Sequence, residues 1–106
     1  MPTLTFIQPD GSQIRVQAQL GRSVMEAARD NQVRGVIAEC GGACACSTCH
    51  CYVDANWVAH LPPMTDAEAG LVEFAWEANA NSRLTCQLMV TAAFDGLVLQ
   101  VPAQQL

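Results

Sequence analysis

A chain of 106 residues, of which 51% are hydrophobic, is long enough for one packed core and too apolar for a disordered protein. The net charge of −5 disfavours nucleic acid as a partner. No apolar run approaches the roughly 20 residues of a membrane span, and the amino terminus lacks the pattern of a signal peptide. We therefore expect a single soluble domain over residues 1–106 that is monomeric and cytoplasmic and makes no membrane contact.

The first third of the chain predicts a hairpin followed by a helix. Residues 4–7 and 14–18 alternate between apolar and polar side chains around a Pro-Asp-Gly-Ser turn, as the two strands of a β-hairpin do. Ser23 and Glu26 have the spacing of a capping box, so a short helix should run over about residues 24–31. Gly35 then begins a loop.

The remaining elements alternate in type. Residues 52–53 read as a short strand, residues 65–68 form a second capping box, and the helix that it opens could cover residues 66–78. Residues 88–90 read as a buried strand, and residues 97–101 read as a final strand after an Asp-Gly turn. This order predicts an α+β fold with a mixed sheet and a helix lying across it.

The negative charge is concentrated in the middle of the chain. Residues 35–82 contain no Lys or Arg and carry a charge of −6, whereas the flanking segments together carry +1. The acidic residues of this segment are Glu39, Asp54, Asp66, Glu68, Glu73 and Glu77. Such a field attracts basic partners.

The cysteines are the most specific pattern in the chain. Of six cysteines, Cys46 and Cys49 are the only pair separated by two residues, Cys40 completes a C-x5-C-x2-C run, and Cys86 is the only remote one. Three thiolates from one tight loop and a fourth from elsewhere are typical of a 2Fe-2S cluster. Small residues between Cys40 and Cys46 would let backbone N–H groups approach the sulfurs.

Other readings of these cysteines fit less well. A plant-type cluster motif needs a cysteine at position 41, where Gly41 stands. A zinc site usually has a second pair of ligands, and neither His50 nor His60 has the spacing of a Rieske centre. A zinc-stabilised binding module remains the alternative from a different class. Cys44 and Cys51 are left over, and we expect both to be packing residues.

Three segments resemble the adrenodoxin and putidaredoxin type of 2Fe-2S ferredoxin. They are residues 40–50 with the cysteine motif, residues 82–87 with Ser-Arg-Leu-Thr-Cys-Gln, and residues 95–98 with Asp-Gly-Leu-Val. The resemblance covers nearly the whole chain and implies a β-grasp fold with the cluster near one surface. It implies Cys40, Cys46, Cys49 and Cys86 as the cluster ligands.

The resemblance also implies a function. Ferredoxins of this type carry single electrons from a flavoprotein reductase, itself reduced by NAD(P)H, to an acceptor that in bacteria is often a cytochrome P-450 monooxygenase. They catalyse no substrate chemistry themselves. Supplying electrons to iron-sulfur cluster assembly is the alternative role, because ferredoxins of that pathway share the ligand spacing.

Surface residues of the second predicted helix are candidates for partner docking. If that helix is continuous, Asp66, Glu73 and Glu77 lie on one acidic stripe with Trp76 beside it. Glu39 precedes the first proposed ligand, and the resemblance implies that it lies on the rim of the docking surface, because putidaredoxin has an acidic residue there. On the same assumption, the core-facing residues are Ala67, Leu71, Phe74, Ala75 and Ala78.

Two further residues are candidates for bracing the cluster loop. The resemblance implies that His50 ties this loop to the carboxy-terminal part of the chain through hydrogen bonds. Arg83 precedes Cys86 by three residues and could pair with an acidic residue.

Overall fold

Five strands form one mixed sheet in a computed structural model that describes residues 1–33, 35 and 49–103. The strands are β1 (Thr3–Ile7), β2 (Gln13–Gln17), β3 (His50–Val53), β4 (Ser82–Leu84) and β5 (Val98–Gln100), in the sheet order β2-β1-β5-β3-β4. The helices are α1 (Val24–Asp30) and α2 (Asp66–Val72). The central pair, β1 and β5, is parallel and the other neighbours are antiparallel. The predicted α+β class with a mixed sheet is confirmed. Within the described residues, no helix is long and apolar enough to cross a bilayer.

The predicted hairpin is confirmed. Leu4 pairs with Val16 and Phe6 with Ile14, and the side chains of Leu4 and Phe6 are completely buried because every second residue of β1 points into the core. Gly11 closes the turn at a φ of 89°, a conformation that glycine adopts without steric cost.

The capping box of α1 forms as predicted. Ser23 Oγ accepts a hydrogen bond from Glu26 N, and Glu26 Oε1 accepts one from Ser23 N, both at 3.0 Å. The helix covers Val24–Asp30, within one residue of the prediction. Its buried face packs against β2 and against a 3-10 turn over Thr85–Gln87.

The second helix is shorter than predicted. It ends at Val72, and the chain continues in turns in which Phe74 N donates to Leu71 O and Ala75 N donates to Val72 O. Tyr52 Oη donates to the carbonyl oxygens of residues 76 and 77, and Glu77 adopts a φ of 48° that no helix contains. The predicted helix over residues 66–78 is wrong in its second half, because this tertiary contact holds the chain in another conformation.

The core-facing set predicted for this helix is therefore only partly right. Ala75 is buried and Leu71 half-buried, but the structure exposes Phe74, Ala67 and Ala78. The second capping box is also incomplete. Thr65 Oγ1 accepts from Glu68 N, but the carboxylate of Glu68 turns inward and binds other partners.

The strand predicted over residues 88–90 does not form. Leu88 and Val90 are buried, Met89 is exposed, and the segment joins Ser23 through one isolated bridge. The strand near Cys86 is instead β4, which precedes that cysteine and pairs antiparallel with β3.

Candidate metal centre

The sheet brings Cys49 and Cys86 together, although they are far apart in the chain. Cys49 directly precedes β3, and Cys86 lies in the 3-10 turn that follows β4. The register of the two strands pairs His50 with Leu84. Beyond that pair, Cys49 O accepts hydrogen bonds from Thr85 N at 3.2 Å and from Thr85 Oγ1 at 2.7 Å. The two cysteine-bearing segments are thus held side by side by protein hydrogen bonds.

The two thiols themselves interact. Cys49 is fully buried and Cys86 nearly so. A hydrogen bond with Cys86, followed by burial, raises the pKa of the Cys49 thiol well above its ordinary value. A metal binds thiolates, so its binding would have to displace the proton of each thiol. Two adjacent buried sulfurs are a donor set that suits iron.

The other predicted ligands lie outside the described residues. This applies to Cys40 and Cys46, and also to the leftover Cys44. Among the residues that are described, no three His, Cys, Asp or Glu side chains converge as a metal site. Cys51 is completely buried in the core, and burial raises the pKa of its thiol to about 12.

Gln87 supplies a hydrogen bond to the site that the sequence reasoning did not anticipate. Its Nε2 donates to Cys86 Sγ at 3.5 Å, within the usual range for a sulfur acceptor. Gln87 is half-buried, which reduces competition from water.

His50 contacts the segment that leads to Cys86. Its Nε2 lies 2.7 Å from Ser82 Oγ, and the ring packs edge-on against Tyr52. Burial lowers the pKa of His50 to about 4, so the ring is neutral at neutral pH. The hydrogen bond therefore joins the residue after Cys49 to the first residue of β4.

Glu68 and Arg83 connect α2 to β4. Arg83 Nε and Nη2 donate to the two carboxylate oxygens of Glu68 at 2.7 and 3.0 Å, and Leu84 N donates to the same carboxylate at 3.0 Å. Arg83 Nη1 also donates to Pro62 O at 2.7 Å. The structure thus gives Arg83 an acidic partner, one residue before the end of β4 and three residues before Cys86.

Comparison with known proteins matches this arrangement to an established family. The family model for the 2Fe-2S iron-sulfur cluster binding domain matches residues 7–91. Rhodocoxin from Rhodococcus erythropolis is 38% identical, and the alignment covers 99% of both chains. The chain belongs to the 2Fe-2S ferredoxins of putidaredoxin type. Solved ferredoxin structures confirm the β-grasp fold that the resemblance implied.

Solved ferredoxin structures match the whole fold. The crystal structure of a ferredoxin from Rhodopseudomonas palustris HaA2 superposes with a TM-score of 0.96 at 43% identity, covering 99% of this chain and 100% of that one. A covalent complex of putidaredoxin reductase and putidaredoxin matches with a TM-score of 0.89 at 34% identity, covering 94% and 97%.

Three of the predicted docking residues lie on the surface of this ferredoxin, but they do not share one helix. Asp66 is in the first turn of α2, while Glu73 and Glu77 follow the end of the helix; all three are exposed. Trp76 is half-buried, and Glu39 lies outside the described residues. The helical stripe is therefore wrong as geometry, but three acids remain exposed in a segment where residues 49–82 contain no Lys or Arg.

Glu68 is a second residue near the site that the sequence pattern does not single out. The charge pattern includes it as one of six acids, yet its side chain is 99% buried. The pattern contained a clue, because Glu68, Val72 and Ala75 are spaced at i, i+4 and i+7 and share the buried face. An acid on an apolar helical face needs a buried cation, and Arg83 is the only basic residue of the chain beyond position 34.

Proposed function

We propose that this ferredoxin carries one electron at a time from an NAD(P)H-dependent flavoprotein reductase to a cytochrome P-450 monooxygenase. The observation that carries the proposal is the pairing of β3 with β4, which holds the segments of Cys49 and Cys86 side by side in a fold that a solved ferredoxin matches over 99% of the chain. We further propose that residues 1–106 act as one cytoplasmic domain, since three buried cysteines without disulfides suit a reducing compartment.

The proposed cluster ligands are Cys40, Cys46, Cys49 and Cys86. When bound by four thiolates, a 2Fe-2S cluster supplies reversible one-electron chemistry. The protein would contribute positioning, exclusion of water and hydrogen bonds to sulfur. The Thr85 hydroxyl positions Cys49 by donating a hydrogen bond to the carbonyl oxygen of Cys49, and the Gln87 side chain donates one to Cys86 Sγ. No group of this chain needs to move a proton for such a reaction.

The proposed braces are His50 and Arg83. Each ties a segment next to a cysteine to the body of the fold, His50 through Ser82 and Arg83 through Glu68. A fixed ligand set limits the structural change that accompanies electron transfer. A small structural change keeps the reorganisation energy of electron transfer low.

The proposed docking surface comprises Asp66, Glu73, Glu77, Trp76 and Glu39. Exposed acids in a stretch of sequence without Lys or Arg accelerate encounter with a basic partner. A test is the double variant Asp66→Asn/Glu73→Gln, with Asp10→Asn in the exposed hairpin turn as the control. We expect slower reduction by the reductase and a weaker dependence on salt in the double variant only; an unchanged rate and salt slope would contradict this surface.

The ligand set is tested with two matched alanine variants. Cys46→Ala removes a proposed ligand, whereas Cys44→Ala removes a neighbouring cysteine that the spacing leaves over. Iron and acid-labile sulfide analysis, together with the paramagnetic signal that appears on reduction, should show a cluster in Cys44→Ala and none in Cys46→Ala. Zinc without sulfide in the unaltered protein would favour the zinc-stabilised module.

The acceptor is tested by reconstitution. The reduced ferredoxin is mixed with haem monooxygenases from the same organism and, separately, with the scaffold and desulfurase proteins of cluster assembly. Turnover of a monooxygenase that depends on NAD(P)H, reductase and ferredoxin together supports the proposal. Support of cluster assembly alone would assign the alternative role.

A further inference from the structure

Phe74 is the most exposed large hydrophobic residue in the described part of the chain. Its relative exposure is 79%, higher even than the 70% of the amino-terminal Met1. The early end of α2 explains this position. Because Ala75 N donates to Val72 O in a tight turn, Ala75 takes the buried position and Phe74 faces the solvent.

The backbone on both sides of Phe74 is fixed. Phe74 N donates to Leu71 O on one side, and Tyr52 Oη donates to Glu77 O at 2.9 Å on the other. The ring therefore projects from a defined point rather than from a free end. A phenyl ring has only two side-chain torsions, so holding it in a partner's pocket costs little conformational entropy.

The surroundings of Phe74 are acidic. Glu73 precedes it, Glu77 follows three residues later, and both are exposed. An apolar centre bordered by charges has the anatomy of a protein interface. A second copy of this chain would bring the same acids against themselves, so the charge favours a different protein whose contact surface is basic.

This position is linked to the metal centre through hydrogen bonds. Glu68 of α2 accepts from Leu84 N at the end of β4, and β4 leads directly to Cys86. A partner that holds the carboxy-terminal end of α2 therefore holds an element joined to the segment that carries Cys86.

We propose that Phe74 is the apolar anchor with which this ferredoxin binds its flavoprotein reductase, inserting into an apolar pocket bordered by Arg and Lys. The proposal rests on the proposed function and adds the residue that supplies the contact. The acids steer the encounter, whereas the ring supplies the contact that sets the dissociation rate.

The experiment measures reductase-driven reduction of the holo-ferredoxin at a series of ferredoxin concentrations. The probe is the flavoprotein reductase from the same organism with NADH or NADPH. The variants are Phe74→Ser, which removes the ring, and Phe74→Leu, which keeps an apolar side chain. Leu20→Ser is the matched control, because Leu20 is 62% exposed and lies outside the acidic segment.

We expect Phe74→Ser to raise the KM for ferredoxin about tenfold with kcat nearly unchanged, as loss of an anchor does. The KM of Phe74→Leu should stay within about threefold of the KM of the unaltered protein. The KM of the control Leu20→Ser should equal that of the unaltered protein. The visible spectrum and reduction by dithionite should be the same in all four proteins.

Three results would overturn the proposal. An equal KM for Phe74→Ser and the unaltered ferredoxin would remove the anchor and leave the electron-carrier function intact. Sedimentation showing a dimer that Phe74→Ser dissociates would assign the ring to contact between copies. If the reductase fails to reduce the unaltered protein, both the anchor and the proposed reductase are wrong.

Discussion

Arg83 places two N–H groups on the two carboxylate oxygens of Glu68, and the pair is almost completely enclosed by the fold. The side chain of Glu68 is 1% exposed and that of Arg83 is 11% exposed. Taking two charges out of water is costly unless each satisfies the other, so removal of one partner leaves an uncompensated buried charge.

We therefore expect Glu68→Gln to destabilise the ferredoxin by about 3 kcal/mol, because Arg83 keeps its charge and loses its partner. For a domain of this size, that corresponds to a fall in Tm of about 10 °C or more. Thermal unfolding followed by circular dichroism measures the effect, and Asp66→Asn on the same helix is the control. A fall no larger than that of the control would show that the pair contributes nothing.

The capping box of α1 predicts a dependence of stability on pH. A hydrogen bond with the backbone of Ser23 is the main cause that lowers the pKa of Glu26 below its ordinary value of 4.5. A carboxylate with a lowered folded pKa stabilises the protein above its unfolded pKa and loses that contribution as the pH falls through the folded value. The Tm advantage of the unaltered protein over Glu26→Gln should therefore be full at pH 6 and smaller at pH 4. An advantage that is constant over this range would contradict the assignment.

The burial of Cys51 predicts that its thiol is unreactive and is not a cluster ligand. Its thiol is completely buried and its pKa is about 12, so almost none is thiolate at pH 8. Iodoacetamide should leave it unmodified in the folded ferredoxin, as judged by mass spectrometry of peptides. Cys51→Ala should keep iron and sulfide at the level of the unaltered protein and cost about 1 kcal/mol of stability for the small cavity. Loss of the cluster in this variant would place Cys51 among the ligands.

The hydrogen bond from Gln87 to Cys86 predicts an effect on the reduction potential. Donors to a cluster sulfur stabilise the reduced form, which carries the additional negative charge. Gln87→Leu should therefore shift the potential to a more negative value, measured by redox titration of the paramagnetic signal. Gln13→Leu at an exposed position of β2 is the control. A potential equal to that of the control would exclude this bond as a determinant.

Local sequence patterns predicted the elements that depend on neighbouring residues. The capping box at Ser23 and the alternation around the hairpin specify their structures within a few residues, and both form. The cysteine spacing selected Cys49 and Cys86, and the sheet brings these two together. The helix start and the hairpin depend on contacts between neighbouring residues. The cysteine spacing is predictable because a 2Fe-2S cluster requires four thiolates in a particular arrangement.

The errors occur where distant residues decide the structure. Residues 73–78 have a helical pattern, but the helix ends at Val72. The hydroxyl of Tyr52 instead donates hydrogen bonds to the carbonyl oxygens of Trp76 and Glu77. Glu68 matches a capping box, but the carboxylate serves Arg83 instead. A period of 3.6 residues cannot reveal either contact, because both partners come from other strands of the sheet.

The pairing of Cys49 with Cys86 also has a consequence for the unfolded chain. These positions are 37 residues apart, so a cluster bound to both is a crosslink that closes a long loop. By the loop-entropy relation for such crosslinks, closure of this length is worth about 4 kcal/mol, a large fraction of the stability of a small domain. Loss of iron would therefore abolish electron transfer. It would also remove the crosslink, so the denatured chain would regain its conformational freedom and the folded state would be less stable. In a cell, the lifetime of this protein and the supply of its cofactor become linked.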